Sequence, residues 1–520
     1  MKNSKERVRK ILNGAQNFKY KLVRDSLLVG IVVGLTIVTY RILASKLAQV
    51  FMSIYSKGRE NLAFIPIIFI LLTAAGYFVS KQVKKEPMIS GSGIPQIEGI
   101  LMRRLKMNWF KILINKFVGG LICLGAGLSV GREGPSVQMG ASVGEGIAKK
   151  LKRPEDEEKY LITSGASAGL AAAFSAPLSG VMFALEEVHK NFSPLVLLSA
   201  MIASLTADFI SKQFFGIIPS LHFGSLTPIP IKYYGVLIIL GITIGISGVI
   251  FNRGILKTQS MFKQSKMSTE VKIIIPFIMA GIIGLVSPIL LGGGHELIMS
   301  LKESNFTMIM LMILIVVKFL FTFISFGSGV PGGIFFPLLT LGALVGNVVG
   351  VICISYLGVP SSYMMNFVVL AMAGHFAATV KAPITAIILI SEMTGSLDHL
   401  LALSMVVIIS QLTSDILNSH PIYESLLERL LEKGTHKYEG SSSKKASLEA
   451  VVHMNSKLDG KCIKEVCWPN NCLVVTITRG NTEILPKGET EIMAGDYLTV
   501  MTDQNSSSET LYKVTELAES

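Results

Sequence analysis

The chain has 520 residues, of which 50% are apolar and 16% charged, well below the roughly 25% charged residues of soluble domains. Its formal net charge is +13, but the basic residues crowd into short stretches beside apolar runs, which argues against a nucleic-acid partner and for a polytopic membrane protein. Five cysteines without CxxC pairs speak against a zinc site and fit inert thiols in a reducing cytoplasm.

In chain order, residues 1–25 form a basic segment with no small-residue cleavage site, so no removable signal peptide is expected. The membrane domain is expected over 26–432. Its apolar runs include LLVGIVVGLTIVTY (27–40), LAFIPIIFILLTAAGYFV (62–79), IIIPFIMAGIIGLVSPILL (273–291) and MIMLMILIVVKFLFTFISF (308–326), several near the 20 or so apolar residues a spanning helix needs. Further basic clusters at 81–85, 103–106 and 149–153 flank such runs, which places those ends, and both termini, in the cytoplasm.

Four signatures interrupt the apolar runs: GSGIPQ (91–96), GREGPS (131–136), VPGGIFFP (330–337) and SHPIYE (419–424). Irregular backbone inside a membrane survives only where it is buried in protein or lines a polar cavity. Gly-Ser-Gly before an apolar run suits a helix N-terminus, where free N–H groups and the helix dipole favour an anion. Tight packing of small residues between helices is the competing reading. Glu133 stands in GREGPS after a stretch with no charge from Phe117 to Val130, where an ionised carboxylate costs at least ~2.5–3.5 kcal/mol. An Arg132–Glu133 ion pair is the structural alternative, but neighbouring side chains on a helix do not face each other.

Two internal echoes are present. GSGIP (91–95) returns as GSGVP (327–331), and AAFSAPLSGVMFALEE (172–187) as AATVKAPITAIILISE (377–392), each Ala-Pro pair followed by a glutamate, Glu186 or Glu392. Related halves broken at matching Gly and Pro positions point to a transporter with its site at the repeat interface. The unequal spacing of the two echoes implies insertions between repeats. Residues 433–446 read as a Ser/Lys-rich linker, and 447–520 as a small cytoplasmic α/β module with strands at LVVTITR and DYLTVMTD and a closing helix.

With their order and intervals, GSGIP, GREGP and GGIFFP resemble the CLC family of chloride channels and proton/chloride exchangers, over roughly residues 20 to 430. The resemblance implies an all-α polytopic membrane fold of CLC type, with two inverted repeats (about 26–215 and 230–432) of tilted and broken helices, in a homodimer whose subunits each carry a pathway. It implies that Ser92, between Gly91 and Gly93, and Tyr423 offer hydroxyls to a central chloride. The amides of Ile334 and Phe335 and those around Arg132 to Gly134 complete the cradle. Glu133 then looks like the gating glutamate, which occupies the anion's seat when ionised and leaves it when protonated. Glu187 matches the glutamate that relays protons to the cytoplasm in exchangers, although a solvated pair of glutamates beside His189 and Lys190 explains the same string. The sequence departs from the family at Gln96, where a glutamate is common, leaving any role of that carboxylate to Glu98. Lys116 matches a deep basic position, and Glu392 a structural one.

The stretch LDGKCIKEVCWPNNCLVVTITRGNTEILPKGETEIMAGDYLTVMTD is similar to a TrkA C-terminal (RCK-C) domain, which implies dimerisation or a small-molecule regulator. The expected activity is exchange of chloride for protons across the cell membrane, with a passive voltage- or pH-gated chloride channel as the alternative. No TVGYG filter supports a potassium channel, and no HExxH, GxSxG or Walker signature supports an enzyme. No cofactor and no metal site are expected.

Overall fold

The computed structural model describes residues 2–190, 192–224, 226–303, 306–433, 445–470, 472–479, 482–503 and 507–519. The chain divides into two compact units, Met1–Gly434 and Thr435–Ser520. Most of the expected linker at 433–446 lies outside the described residues.

The first unit is a multi-pass membrane domain; among the described residues eight helices are long and apolar enough to span a bilayer. Its first half comprises α1 (Lys2–Glu60), α2 (Ile65–Lys85), α3 (Ile94–Leu101), α4 (Trp109–Gly125), α5 (Glu133–Lys150), α6 (Glu155–Phe174), α7 (Pro177–Phe183) and α8 (Pro194–Phe215). The second comprises α9 (Tyr234–Gln264), α10 (Thr269–Val286), α11 (His295–Glu303), α12 (Met308–Gly327), α13 (Phe335–Tyr356), α14 (Met364–Val380), α15 (Pro383–Thr394) and α16 (Leu400–Ile416), followed by α17 (Ile422–Lys433). The basic N-terminal stretch is continuous with α1 rather than a separate segment.

Helices begin where the sequence supplies a cap or a proline. Asn108, Ser268 and Thr307 accept from the third residue of α4, α10 and α12, satisfying one of the orphan donors of each helix. Proline occupies the first turn of α2, α3, α7, α8 and α15, where its missing N–H costs nothing.

The halves correspond helix by helix. α1 packs on α8 as α9 packs on α16, and α5 on α6 as α13 on α14, while α2 meets α10 and α7 meets α15 across the centre. The Glu392 carboxylate accepts from the amides of Leu178 (3.0 Å) and Ser179 (2.8 Å) at the start of α7. Glu186 accepts from those of Ile384 (3.2 Å) and Thr385 (2.7 Å) at the start of α15. Each half thus caps a helix of the other, the reciprocity that a two-fold axis requires.

These landmarks correct the internal register. Lys116 matches Lys318, Gly131 matches Gly333 and Glu186 matches Glu392, at a nearly constant interval. GSGVP therefore corresponds to Gly125–Ser129, not to GSGIP, and the insertions expected from that pairing disappear. The misleading string arose because both turns need left-handed glycines: Gly91 and Gly93 in one, Gly329 in the other. α17 has no counterpart in the first half. Small-residue packing is real elsewhere: Gly140 of α5 and Gly165 of α6 face each other so closely that a Cβ on either would overlap the other's carbonyl.

The second unit is a four-stranded antiparallel sheet in the order β1 (Lys445–Val451), β4 (Tyr497–Asp503), β2 (Cys472–Arg479), β3 (Thr482–Ile484). Helix α18 (Ser507–Glu519) contacts β1 and β4. Its own core gathers Val452, Leu458, Ile477, Ile492, Leu498, Val500, Val514 and Ala518. β1 starts at Lys445, inside the stretch read as linker. The Arg479 guanidinium donates twice to buried Asp496, at 2.8 Å each, and Asp496 also accepts from the Met493 amide at 2.9 Å. Burial alone would raise the Asp496 carboxyl, but the Arg479 and Met493 hydrogen bonds and the guanidinium charge hold it below the usual carboxylate range. A depressed folded-state pKa stabilises above the unfolded value of about 3.9 and is lost as pH falls through the folded one. In urea titrations of fragment 445–519, wild type is therefore expected to lose stability below about pH 4. Asp496→Asn should be less stable at neutral pH and flatter across that window.

Candidate functional site

Three chain breaks meet at the centre of the first unit. The Gly91 amide donates to Val330 O (3.2 Å) and Gly332 N to Gly91 O (3.0 Å), while Gly131 and Gly333 exchange bonds of 2.7 and 2.8 Å. These bonds stitch the loops before α3, α5 and α13 into one knot. Gly134 lies against Ser92, where an added Cβ would come within 2.8 Å of its carbonyl oxygen and 2.9 Å of its Cα. Lys116 is fully buried and donates from Nζ to Ile89 O (2.7 Å) and Gly91 O (2.6 Å). Its counterpart Lys318 holds Leu290 O (3.0 Å) and Gly292 O (2.7 Å) in the other half. Lys116 is thus a local clamp that takes up loop carbonyls rather than a distant source of potential.

What remains unpaired at this knot is mostly N–H. The first amides of any helix have no intrahelical acceptor, and α5 and α13 begin here at Glu133–Gly134 and Phe335–Phe336, after Arg132 and Ile334. Both helices then carry a proline, Pro135 or Pro337, which has no N–H to satisfy. Ser92 is 2% exposed, and its Oγ accepts from Ile94 N at 3.3 Å, leaving the hydroxyl hydrogen to donate. Tyr423, in the first turn of α17, is fully buried with no partner for its hydroxyl. Amides and two hydroxyls, with the Arg132 guanidinium nearby, are donors suited to an anion.

Glu133 is the first residue of α5 and 1% exposed. Its carboxylate sits beside Gly131 and near the Phe336 amide, yet neither oxygen has a partner at hydrogen-bonding geometry. No hydrogen bond joins its carboxylate to Arg132, whose Nε is likewise unpartnered, although the guanidinium acts on it electrostatically. Unpaired buried carboxylate oxygens are rare and expensive, which marks a group that changes place or protonation.

A second group of carboxylates lies toward the other end of α3. The FALEEV segment forms a π turn, Ala184–Val188, a bulge frequent at functional sites. It turns neighbouring glutamates to different tasks: Glu186 caps α15, while Glu187 is buried, 4% exposed, with Oε1 unpaired. Glu98 of α3, fully buried with neither oxygen hydrogen-bonded, acts electrostatically on Glu187. Tyr423 feels the charges of Glu187, Glu133 and Glu98, and its helix α17 packs against α3. Gln96 has taken a structural post, donating to Ser90 O at 2.8 Å. Phe335 packs on Phe376 (4.7 Å between ring centroids), Phe174 (5.1 Å) and Phe183 (6.4 Å), an apolar wall that keeps water from the cradle.

The structure thus brings Gly91, Ser92, Gly93, Arg132, Glu133, Gly134, Ile334, Phe335 and Tyr423 to one locus, and sets Glu187 apart with Glu98. The sequence reading left Glu98 only a fallback role and missed the aromatic wall. The one available signal was Glu98's position on the core face of a helix whose N-terminus is the Ser92 loop. Among the described residues no group of three or more His, Cys, Asp or Glu is placed to hold a metal.

The family model for voltage gated chloride channels matches residues 71–415, and that for the TrkA-C domain matches residues 448–513. The H(+)/Cl(-) exchange transporter ClcA of Yersinia pestis is 35% identical over 379 residues, covering 71% of this chain and 79% of that protein. ClcA of Salmonella paratyphi A is 34% identical over 378 residues, 71% of this chain and 80% of its own. Among solved structures, a slow cyanobacterial Cl-/H+ antiporter superposes with a TM-score of 0.76 at 30% identity, over 80% of this chain and 99% of its own. A CLC-type fluoride/proton antiporter shares the fold, with a TM-score of 0.63 at 22% identity over 78% of this chain and 97% of its own.

Because a Cβ at position 134 meets backbone rather than a flexible side chain, Gly134→Ala should push the Ser92 loop away from α5. Overpacking of this kind costs about 1–3 kcal/mol. The expected result, read by calorimetric titration, is chloride affinity weakened by about tenfold in a protein that still purifies as a folded species.

Proposed function

Because the chain belongs to the voltage-gated chloride channel (CLC) family, we propose that it is a secondary active transporter that exchanges chloride for protons across the cell membrane. The observation that carries this reading is the placement of an unpaired, buried carboxylate, Glu133, among the amides of the cradle. Ionised, Glu133 occupies the anion's seat; protonated, it becomes neutral and gives way to chloride. Ser92 and Tyr423 then donate their hydroxyls to the ion, and the amides of Ile334, Phe335 and the Arg132–Gly134 turn complete its shell. One site therefore serves a proton and a halide in alternation.

Sidedness follows from the basic clusters. Arg153 pairs with Asp25 at 2.6 Å, Arg103 with Glu155 at 3.8 Å, and Lys84 with Glu270, so the basic ends of α1, α2, α3 and α5 are tied to neighbours rather than scattered. Excess Lys and Arg favour the cytoplasmic side, which puts both termini there. α5 runs about 27 Å from Glu133 to that face, at 1.5 Å per residue, so Glu133 opens toward the opposite side. α3 runs from Ile94, just after Ser92, to Leu101, just before Arg103, and Glu98 with Glu187 lies toward its cytoplasmic end. Glu187 is accordingly the inner proton station, and its burial beside Glu98 favours exchange over a passive channel. Assembly as a homodimer, and dimerisation or regulation by a small molecule at the TrkA-C domain, complete the proposal on the strength of the family likeness.

Purified protein in liposomes, with chloride and proton movement followed together, tests the reading. Wild type is expected to move protons uphill when driven by a chloride gradient. Glu133→Gln should pass chloride without protons and without dependence on pH. Glu187→Gln should abolish proton movement while keeping much of the chloride flux. Coupled pumping that persists in Glu133→Gln contradicts the mechanism.

A further inference from the structure

Charged groups from three elements converge around the inner proton station: Glu98 of α3, Glu187 of the π turn, Glu424 in the first turn of α17, and Lys190 just after the turn. Lys190 Nζ lies 2.5 Å from Glu424 Oε1 and 3.9 Å from Glu98 Oε2, and it acts electrostatically on Glu187 as well. Glu98 has no other salt-bridge partner among the described residues. The remaining titratable neighbours are committed elsewhere. Glu186 caps α15. His189 Nδ1 pairs with Thr163 Oγ1 at 3.0 Å and feels Lys159. Tyr423 is buried with its hydroxyl unpartnered. The Lys190 side chain is 28% exposed on a flexible four-carbon stem that lets an ammonium exchange partners.

An ionised carboxylate in an apolar interior is prohibitive without a counter-charge, and an exchanger must ionise Glu187 in every cycle. We propose that Lys190 is the mobile countercation of the inner station: it rests on Glu424 while Glu187 is protonated and moves to Glu98 and Glu187 when the proton leaves to the cytoplasm. Only an O–H bond is broken, and the proton passes to water. Moving Lys190 also releases the tie between the π turn and α17, so that loss of the proton is felt one residue away, at Tyr423. This makes Lys190 a positioning residue, and the inference rests on the exchanger reading above.

The test uses the full-length protein in liposomes, with chloride and proton fluxes measured against cytoplasmic-side pH. Lys190→Met should keep chloride flux and lower proton flux by about tenfold or more, and shift its half-maximal pH upward, because an opposite charge within about 4–6 Å is worth one to three pKa units to a carboxylate. Lys190→Arg should keep the wild-type ratio. Lys190→Glu combined with Glu424→Lys rebuilds the tie between the two elements but leaves a negative charge beside Glu98, so proton flux should stay low. Wild-type coupling in Lys190→Met, or its recovery in the charge-exchanged pair, overturns the proposal. A Lys190→Arg protein as uncoupled as Lys190→Met does the same. Failure of the exchanger reading is distinguishable, because it shows already in wild type as chloride movement without protons.

Discussion

Interrupted helices in an apolar interior must account for every backbone donor and acceptor they free. In this protein the carbonyls of the breaks are answered locally, by the buried ammonium groups of Lys116 and Lys318 and by the isolated backbone bridges at Gly91–Pro331 and Gly131–Gly333. The amides at the starts of α5 and α13 are left over, turned toward one point. That surplus of N–H is a positive potential that adds to the charge of the Arg132 guanidinium beside Glu133. On the proposed reading, an anion is desolvated there largely by amides and hydroxyls, which hold it less tightly than a directly bound ammonium.

The same surplus gives the Glu133 carboxylate a place to sit. On the proposed reading, a charge otherwise prohibitive at this depth is compatible with the fold because the cradle accepts a small anion or, in its place, this side chain. The arrangement is fragile to added volume, since Gly134 and Gly333 bring backbones into contact where a Cβ has no room. Around Glu187 the chemistry differs: its Oε1 has no hydrogen-bond partner, and the proposal meets its charge with a side chain, Lys190. The π turn makes this possible by sending Glu186 to a structural post and Glu187 inward.

The site was more legible in the sequence than the architecture around it. Glycine-rich breaks in apolar runs announce irregular backbone at membrane depth, and a lone glutamate in such a break announces function. Glu98, by contrast, sits in a string that reads as an ordinary short helix, and only the fold reveals that it faces Glu187. The internal repeat was visible but misregistered, because GSGIP and GSGVP share one unbroken run of letters for the same turn chemistry, while the true register, Lys116 with Lys318 and Gly131 with Gly333, carries its shared letters scattered through KF, G-x-G, a glycine and a proline. Reciprocal capping by Glu186 and Glu392 is a three-dimensional relation: the Ala-Pro echo located both carboxylates, but each caps the helix of the opposite half. In the second unit, β1 lay hidden in a polar stretch because its partner β4 and helix α18 supply the apolar contacts that its own sequence lacks.

Competition between the Glu133 carboxylate and chloride for one cradle is a statement about linked equilibria, and calorimetry reads it directly. Chloride is titrated into the purified protein in buffers of different ionisation enthalpy, giving the protons taken up for each ion bound. The account predicts uptake approaching about one proton per chloride in wild type at alkaline pH, where Glu133 is ionised, and none in Glu133→Gln. Chloride binding to wild type without proton uptake, at an affinity indifferent to pH, contradicts it.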